Sequence, residues 1–427
     1  MIRQSSRARR LGGSATARGP GPRGSRGWAA GLLAFGVLAT AIAVPTCLGV
    51  LAVDVTVDLN LGDAGLGLVV SAFWAVTAVA APVAGRWVDR VGWPAGVRVG
   101  ALVTAACLAS CALVVDSWVA LLVVFAISGV GYGLCSPTSN LVVVELVPPA
   151  RHASVLGMKQ TAPPLLMAAA GVTLPWLAHL LGWRAAMAAV LVLPAVVLLL
   201  AWRGARGHRA RSRSVSRSSP VVRRAERSVI APMAVAAGLG TFSVATITGF
   251  AVLTLVSAGL SPVVAAGVVS GGSLLAVVVR VAAGRFLDTR PASDVTPLLA
   301  VMALAGITLG LVAVGVTGLD AGEGAGAPWR AVVVAGVVLA LVAAWTWPAL
   351  LLITVVRTVS APGAASGTVQ LGSGIGSAVG PSAFGALSDA GGRGWAWAAM
   401  AVATVAAMVL VRRGGRRAAA PRSSLRG

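Results

Sequence analysis

Titratable charge is scarce in this chain. Its 427 residues hold 12 carboxylates, three histidines and a single lysine, Lys159, so that 33 of the 34 basic residues are arginines. No histidine–carboxylate cluster and no phosphate-cradling glycine loop can be assembled from this supply, so neither an enzyme nor a cofactor is expected. The four cysteines, Cys47, Cys107, Cys111 and Cys135, lie inside apolar runs without metal-ligand or redox spacing, and they read as small core residues.

What the chain has instead is apolar surface. It is 57% hydrophobic and 11% charged, with a mean hydropathy of +0.90, which excludes a soluble globular domain and fits a polytopic membrane protein. A spanning helix needs roughly 20 mostly apolar residues. Twelve such runs are bounded by charge or by Gly, Pro and Asp clusters, near 28–53, 65–84, 98–115, 118–146, 153–180, 184–202, 229–258, 262–283, 297–316, 330–356, 364–388 and 395–411. The first is too long for a signal-peptide core and reads as a retained helix. No segment outside the spans exceeds about 27 residues, too short for an enzymatic or sensory domain.

The arginines orient the array. They crowd the N-terminal tail 1–27, the ends after the second and fourth runs (Arg86, Arg90, Arg98, Arg151), the stretch Arg203 to Arg227, the positions Arg280, Arg285, Arg290 and Arg357, and the tail 412–427. Only Arg184, Arg330 and Arg393 fall on the opposite side, with Asp54, Asp58, Asp63, Asp116, Asp320, Glu323 and Asp389. By the positive-inside rule both termini are cytoplasmic in a bacterial plasma membrane. Arginines spread over alternate loops form no single stripe, so no nucleic acid is expected as a partner; anionic lipid headgroups are.

The Arg/Ser-rich stretch 203–228 has no apolar period and is expected to be a disordered linker. It separates bundles 28–202 and 229–411, and the two repeat each other. GRWVD at 85 and GRFLD at 284 both follow the second run of their half, and GMKQT at 157 aligns with GTVQL at 367, Gln160 over Gln370. Two halves of like orientation are the parallel repeat of carriers whose site lies between rocking bundles. In the second half Gly372, Gly376 and Gly380 recur every four residues, a flat stripe for helix packing, and Pro381 loosens the backbone beside it.

The pattern G-x-x-x-D-R-x-G, met by Gly85, Asp89, Arg90 and Gly92, together with twelve runs and a central basic loop, resembles the major facilitator superfamily over essentially the whole chain. That resemblance implies an all-α integral membrane protein with twelve transmembrane helices in two six-helix pseudo-repeat bundles, acting as a monomer on a small-molecule substrate. It also implies that the loop with Asp89, and its echo Gly284, Arg285 and Asp288, latch the cytoplasmic gate, Glu145 nearby. Asp89 is expected to pair with Arg90 near a helix N-terminus. The chain departs from the family where further basic residues commonly follow, having Trp93, Pro94 and Ala95.

An ionisable residue at membrane depth is a functional candidate. Lys159 lies eight residues past Arg151, ~12 Å along a helix, and reads either as reaching a central cavity or as snorkelling to the interface. Gln160 and Thr161 add donors, and Pro163 and Pro164 disturb the helix beside them. Arg280 lies one turn before Gly284. It resembles the arginine that meets the substrate carboxylate in monocarboxylate-type carriers of the superfamily, with a gate ion pair as the alternative. Trp74, Tyr132 and Trp345 are the aromatic candidates for the cavity wall, and Asn140 a polar one. Two intramembrane cations absent from the repeat point to a small-anion transporter working by alternating access, Lys159 and Arg280 holding the anion from opposite halves. GMKQT and AWTWPALLL are most similar to cyanate-permease-like carriers. The alternative, proton-coupled drug efflux, is weakened because Phe125 stands where exporters carry an arginine four residues before Gly129, and because the fifth run, 153–180, lacks their Gly-Pro pattern.

Overall fold

The computed structural model describes residues 23–205, 224–291, 294–322, 326–358 and 362–419, and among these there is no strand. Helix α1 (Arg23–Val50) continues into the short α2 (Ala52–Asp58). Then come α3 (Asp63–Val91), α4 (Trp93–Leu113) and α5 (Trp118–Leu146). One crossing is divided into α6 (His152–Lys159) and α7 (Ala162–Leu181), the next into α8 (Trp183–Ala189) and α9 (Val192–Ala205). The second half of the chain holds α10 (Arg224–Ser257), α11 (Pro262–Asp288), α12 (Thr296–Asp320), α13 (Gly326–Thr358), α14 (Pro362–Gly391) and α15 (Arg393–Ala419).

Among the described residues, eleven segments are long and apolar enough to cross a membrane. The run outside that set is the eleventh in chain order, α14; it is 30 residues long, ~45 Å of helix, and its Gly/Ser content keeps its hydropathy below the others. The helices overrun the apolar runs, because polar ends carry no hydropathic signal while the backbone keeps its hydrogen bonds. GRWVD and GRFLD therefore lie within the last turns of α3 and α11 and not in loops. The supposed linker and tails are likewise helical at 203–205, 224–228, 23–27 and 412–419, while 1–22, 206–223 and 420–427 lie outside the described residues. The runs near 297–316 and 330–356 are extended in the same way, α12 ending at Asp320 and α13 starting at Gly326. Elsewhere single glycines turn the chain: Gly92, Gly182 and Gly392 alone separate successive helices, at φ 84°, 84° and 88°, a region that penalises any side chain.

The glycine stripe of α14 seats on α10. A Cβ on Gly372, Gly376 or Gly380 would overlap the backbone of Ala234, Gly238 or Phe242 respectively, so these helices touch through their main chains. The core is divided unequally between the two membrane faces. Toward the face away from the termini, the loop face, one buried cluster joins both halves, with Leu48, Leu66 and Phe73 beside Phe250, Ala266 and Phe384. Toward the face of the termini, the tail face, each half keeps its own cluster, around Ala34, Trp93 and Val142 in one and Met233, Leu351 and Val355 in the other. The halves are joined at one end and parted at the other.

Candidate functional site

Between the halves lies a cavity of about 250 Å³, walled by α1, α3, α5, α6–α7, α10, α11, α13 and α14. Of the residues singled out in the sequence, Trp74, Tyr132, Gln160, Arg280 and Trp345 line it. Among the described residues Arg280 is the one charged residue in the lining. Its Nη1 donates to the carbonyl of Trp345 at 3.2 Å, and no carboxylate pairs with it among the described residues. Four of its five donors thus have no acceptor among those residues.

The opposite wall is aromatic. Trp74 and Tyr132 meet edge to face with centroids 5.3 Å apart, and fully buried Phe73 braces both at 5.0 and 5.7 Å. Gln160 and Gln370, the pair that the repeat superposes, both reach the cavity, one from each half. Gln370 and its neighbours Ser373 and Ser377 on α14 were not among the sequence candidates. The repeat alignment held the signal for Gln370, since one member of the aligned pair already stood in a candidate stretch.

Three candidates do not reach the cavity. Lys159 is 2% exposed, and its Nζ donates to Ser139 Oγ at 2.7 Å and to Asn140 Oδ1. It neither enters the cavity nor snorkels. Helix α6 ends at Lys159, and the prolines that open α7 lack the N–H needed to continue it, so the chain turns at Gln160 and Thr161. Adjacent helical positions point about 100° apart, which sends Gln160 to the cavity and Lys159 sideways into α5. Asn140 is the lysine's acceptor, and Thr161 spends its hydroxyl on the carbonyl of Met158 at 2.6 Å.

The motif expected to latch a gate lies at the parted end. Asp89, Arg90 and Arg285 are exposed, the expected Asp89–Arg90 pair is not formed, and none of the three has an ion-pair partner among the described residues. Glu145 is half-buried in the last turn of α5, and the side chain of Asp288 lies outside the described residues. A Cβ on Gly284 would meet nothing within 4 Å, and on Gly85 only Pro137, at 3.9 Å.

The joined end has a closure that the sequence reading passed over. Arg393 donates Nε and Nη2 to the two oxygens of Asp63 at 2.8 and 2.9 Å. Ser388 Oγ adds a third bond to that carboxylate at 2.5 Å, and Asp389 accepts from the backbone N–H of Ala64 at 3.0 Å. The start of α3 is thus clasped by the α14–α15 corner. The available signal was the charge bias itself, because all three arginines that break it are structurally engaged. Arg184 donates to Asp58 at 2.7 Å and to the carbonyl of Val115 at 2.8 Å, and Arg330 caps the end of α10 at the carbonyl of Ala258, 2.9 Å.

Residues 29–322 match the Major Facilitator Superfamily. No curated protein is close enough in sequence to count as a match. Among solved structures, the chain resembles a bacterial homolog of the human lysosomal transporter Spinster, inward-facing and unoccupied, at TM-score 0.66 and 16% identity over 94% of this chain and 97% of that one. The inward-facing, occupied form scores 0.65 at 18% identity, over 93% and 96% of the chains. A mutant of the nucleoside transporter NupG scores 0.69 at 14% identity, over 90% and 99%. At such identities the likeness is one of fold.

Proposed function

Because this chain belongs to the major facilitator superfamily, we propose that it is a secondary active transporter that carries a small organic anion across a bacterial cytoplasmic membrane by alternating access. The observation that carries the reading is Arg280, a guanidinium at membrane depth whose one protein acceptor among the described residues is a backbone carbonyl. Placing such a charge in a span costs about 2.5–3.5 kcal/mol on insertion scales. A carboxylate arriving in the cavity offsets that cost through paired charge-assisted bonds, which makes the cavity selective for anions.

In this reading the bundles 28–202 and 229–411 rock about the cavity, and the arginine bias puts the tail face in the cytoplasm. The conformation described is then inward-open, with the Asp63–Arg393 clasp shut on the outside and the Asp89 and Asp288 motifs apart on the inside. Gln160 and Gln370 approach the solute from opposite bundles, so that binding draws them together. Lys159 keeps a supporting role, tying α5 to the break between α6 and α7. The efflux alternative draws no support from the cavity, whose lining, among the described residues, holds no carboxylate to exchange a proton or attract a cationic drug.

Thermal melting of the detergent-purified protein against small carboxylates, inorganic anions and lipophilic cations tests the reading, since a ligand of the folded state raises Tm by mass action. Stabilisation by a carboxylate that disappears in Arg280→Ala is expected. Stabilisation by cations alone, unchanged in that variant, would overturn it.

A further inference from the structure

The geometry points to a narrower class of substrate: we infer that the transported anion is an aromatic monocarboxylate, bound with its carboxylate on Arg280 and its ring against Trp74 and Tyr132. The inference rests on the anion reading above and adds what the opposite wall recognises.

The charge count comes first. Among the described residues the lining holds one cation and no carboxylate, so one negative charge is balanced, whereas a second would be desolvated without a cation to pair with. The shape of the wall follows. The Trp74 and Tyr132 rings are inclined at 67° to each other, and the buried ring of Phe73 sets both at near right angles to itself, 82° and 77°. The three rings therefore form a preorganised edge-to-face array, with Trp74 and Tyr132 lining the cavity and Phe73 behind them. An added planar ring continues such an array, because the quadrupoles of aromatic rings favour edge-to-face and offset contacts at centroid distances of about 4.5–7 Å. Trp345, whose carbonyl already accepts from Arg280, brings a further indole from the other half. The rest of the wall mixes apolar side chains, Ile42, Val70 and Met167 among them, with amides and hydroxyls such as Gln160, Gln370 and Ser373. A small inorganic anion would satisfy Arg280 and leave this surface unused, and an aromatic cation would use the surface and be repelled by Arg280.

The test compares benzoate with cyclohexanecarboxylate, which has the same charge and a similar size but no π system, by Tm shift and by competition in the full-length protein. Benzoate is expected to bind roughly 2- to 10-fold more tightly, the range one aromatic contact supports. Trp74→Leu should erase that preference and Trp74→Phe should retain part of it. Tyr132→Leu serves as the independent variant where Trp74→Leu fails to fold. If cyclohexanecarboxylate or acetate binds as well as benzoate, still dependent on Arg280, the aromatic assignment is overturned and the anion reading stands. If no carboxylate shifts the Tm, or Arg280→Ala leaves the shifts unchanged, both fall.

Discussion

The seam between the two halves of the chain is built differently at its two ends. At the loop face the halves share a core, a bidentate ion pair and main-chain contacts at glycine: a Cβ on Gly67 would overlap the carbonyl of Pro381, and one on Gly385 the carbonyl of Asp63. At the tail face the cores are separate, Asp89, Arg90 and Arg285 are exposed, and among the described residues nothing lies within 4 Å of a Cβ placed on Gly284 or Gly367. Glycine is present at both ends, yet only one end uses it for contact in this conformation. The lesson is that a repeated charged motif marks corresponding ends of the two halves, whereas backbone approach and paired charge mark which end of the seam is shut.

The strongest way to break this asymmetry is to wedge the closed end. Gly67→Ala or Gly385→Ala sets a methyl against a carbonyl that cannot move aside, and should cost that end about 1–3 kcal/mol. A cysteine placed at cavity-lining Thr248 should then label faster with a membrane-impermeant thiol reagent added at the loop face, the native cysteines being buried. Arg393→Ala should act in the same direction at about 1–2 kcal/mol, because Asp63 loses both bonds but remains partly open to water, which offsets part of the loss.

A smaller effect is expected at Arg184–Asp58, a pair on the loop face that lies within one half and so does not bridge the seam. The Arg184 side chain beside Asp58 holds its carboxyl below the usual carboxylate range, the indole of Trp183 helping and burial opposing. A depressed folded-state value means that the pair stabilises above the unfolded value near ~4 and ceases to as pH falls through the lowered one. The Tm difference between wild type and Arg184→Ala, worth under ~1 kcal/mol for so exposed a pair, should be present at pH 7 and shrink toward pH 3, with no change in labelling at Thr248→Cys. Least of all, Gly284→Ala should alter melting by less than about 0.5 kcal/mol, since nothing lies near its Cβ. It should nonetheless slow transport in proteoliposomes if the tail-face end closes on that glycine, and an unaltered rate would remove Gly284 from the gate.

Much of this molecule was legible in advance. Apolar runs of membrane-spanning length, the arginine bias and the doubled GRWVD/GRFLD are one-dimensional signals, and they carried the helices, their order and the repeat. Arg280 was legible because a charge inside an apolar run stands out wherever it points. Lys159 stood out equally and pointed elsewhere, since one residue of helical rotation separates it from Gln160 and hydropathy carries no rotation. The Asp63–Arg393 clasp joins residues 330 positions apart, and no local pattern links them.

By itself, then, the sequence determined the solvent, the succession of the long helices, and the presence of cations at depth, because burial in lipid penalises polar residues position by position. The tertiary structure decided which side chains share the cavity, which end of the seam is shut, and that Gln370 reaches the cavity while Lys159 does not. These depend on how helices rotate and cross, and that is set by close packing between residues far apart in the chain.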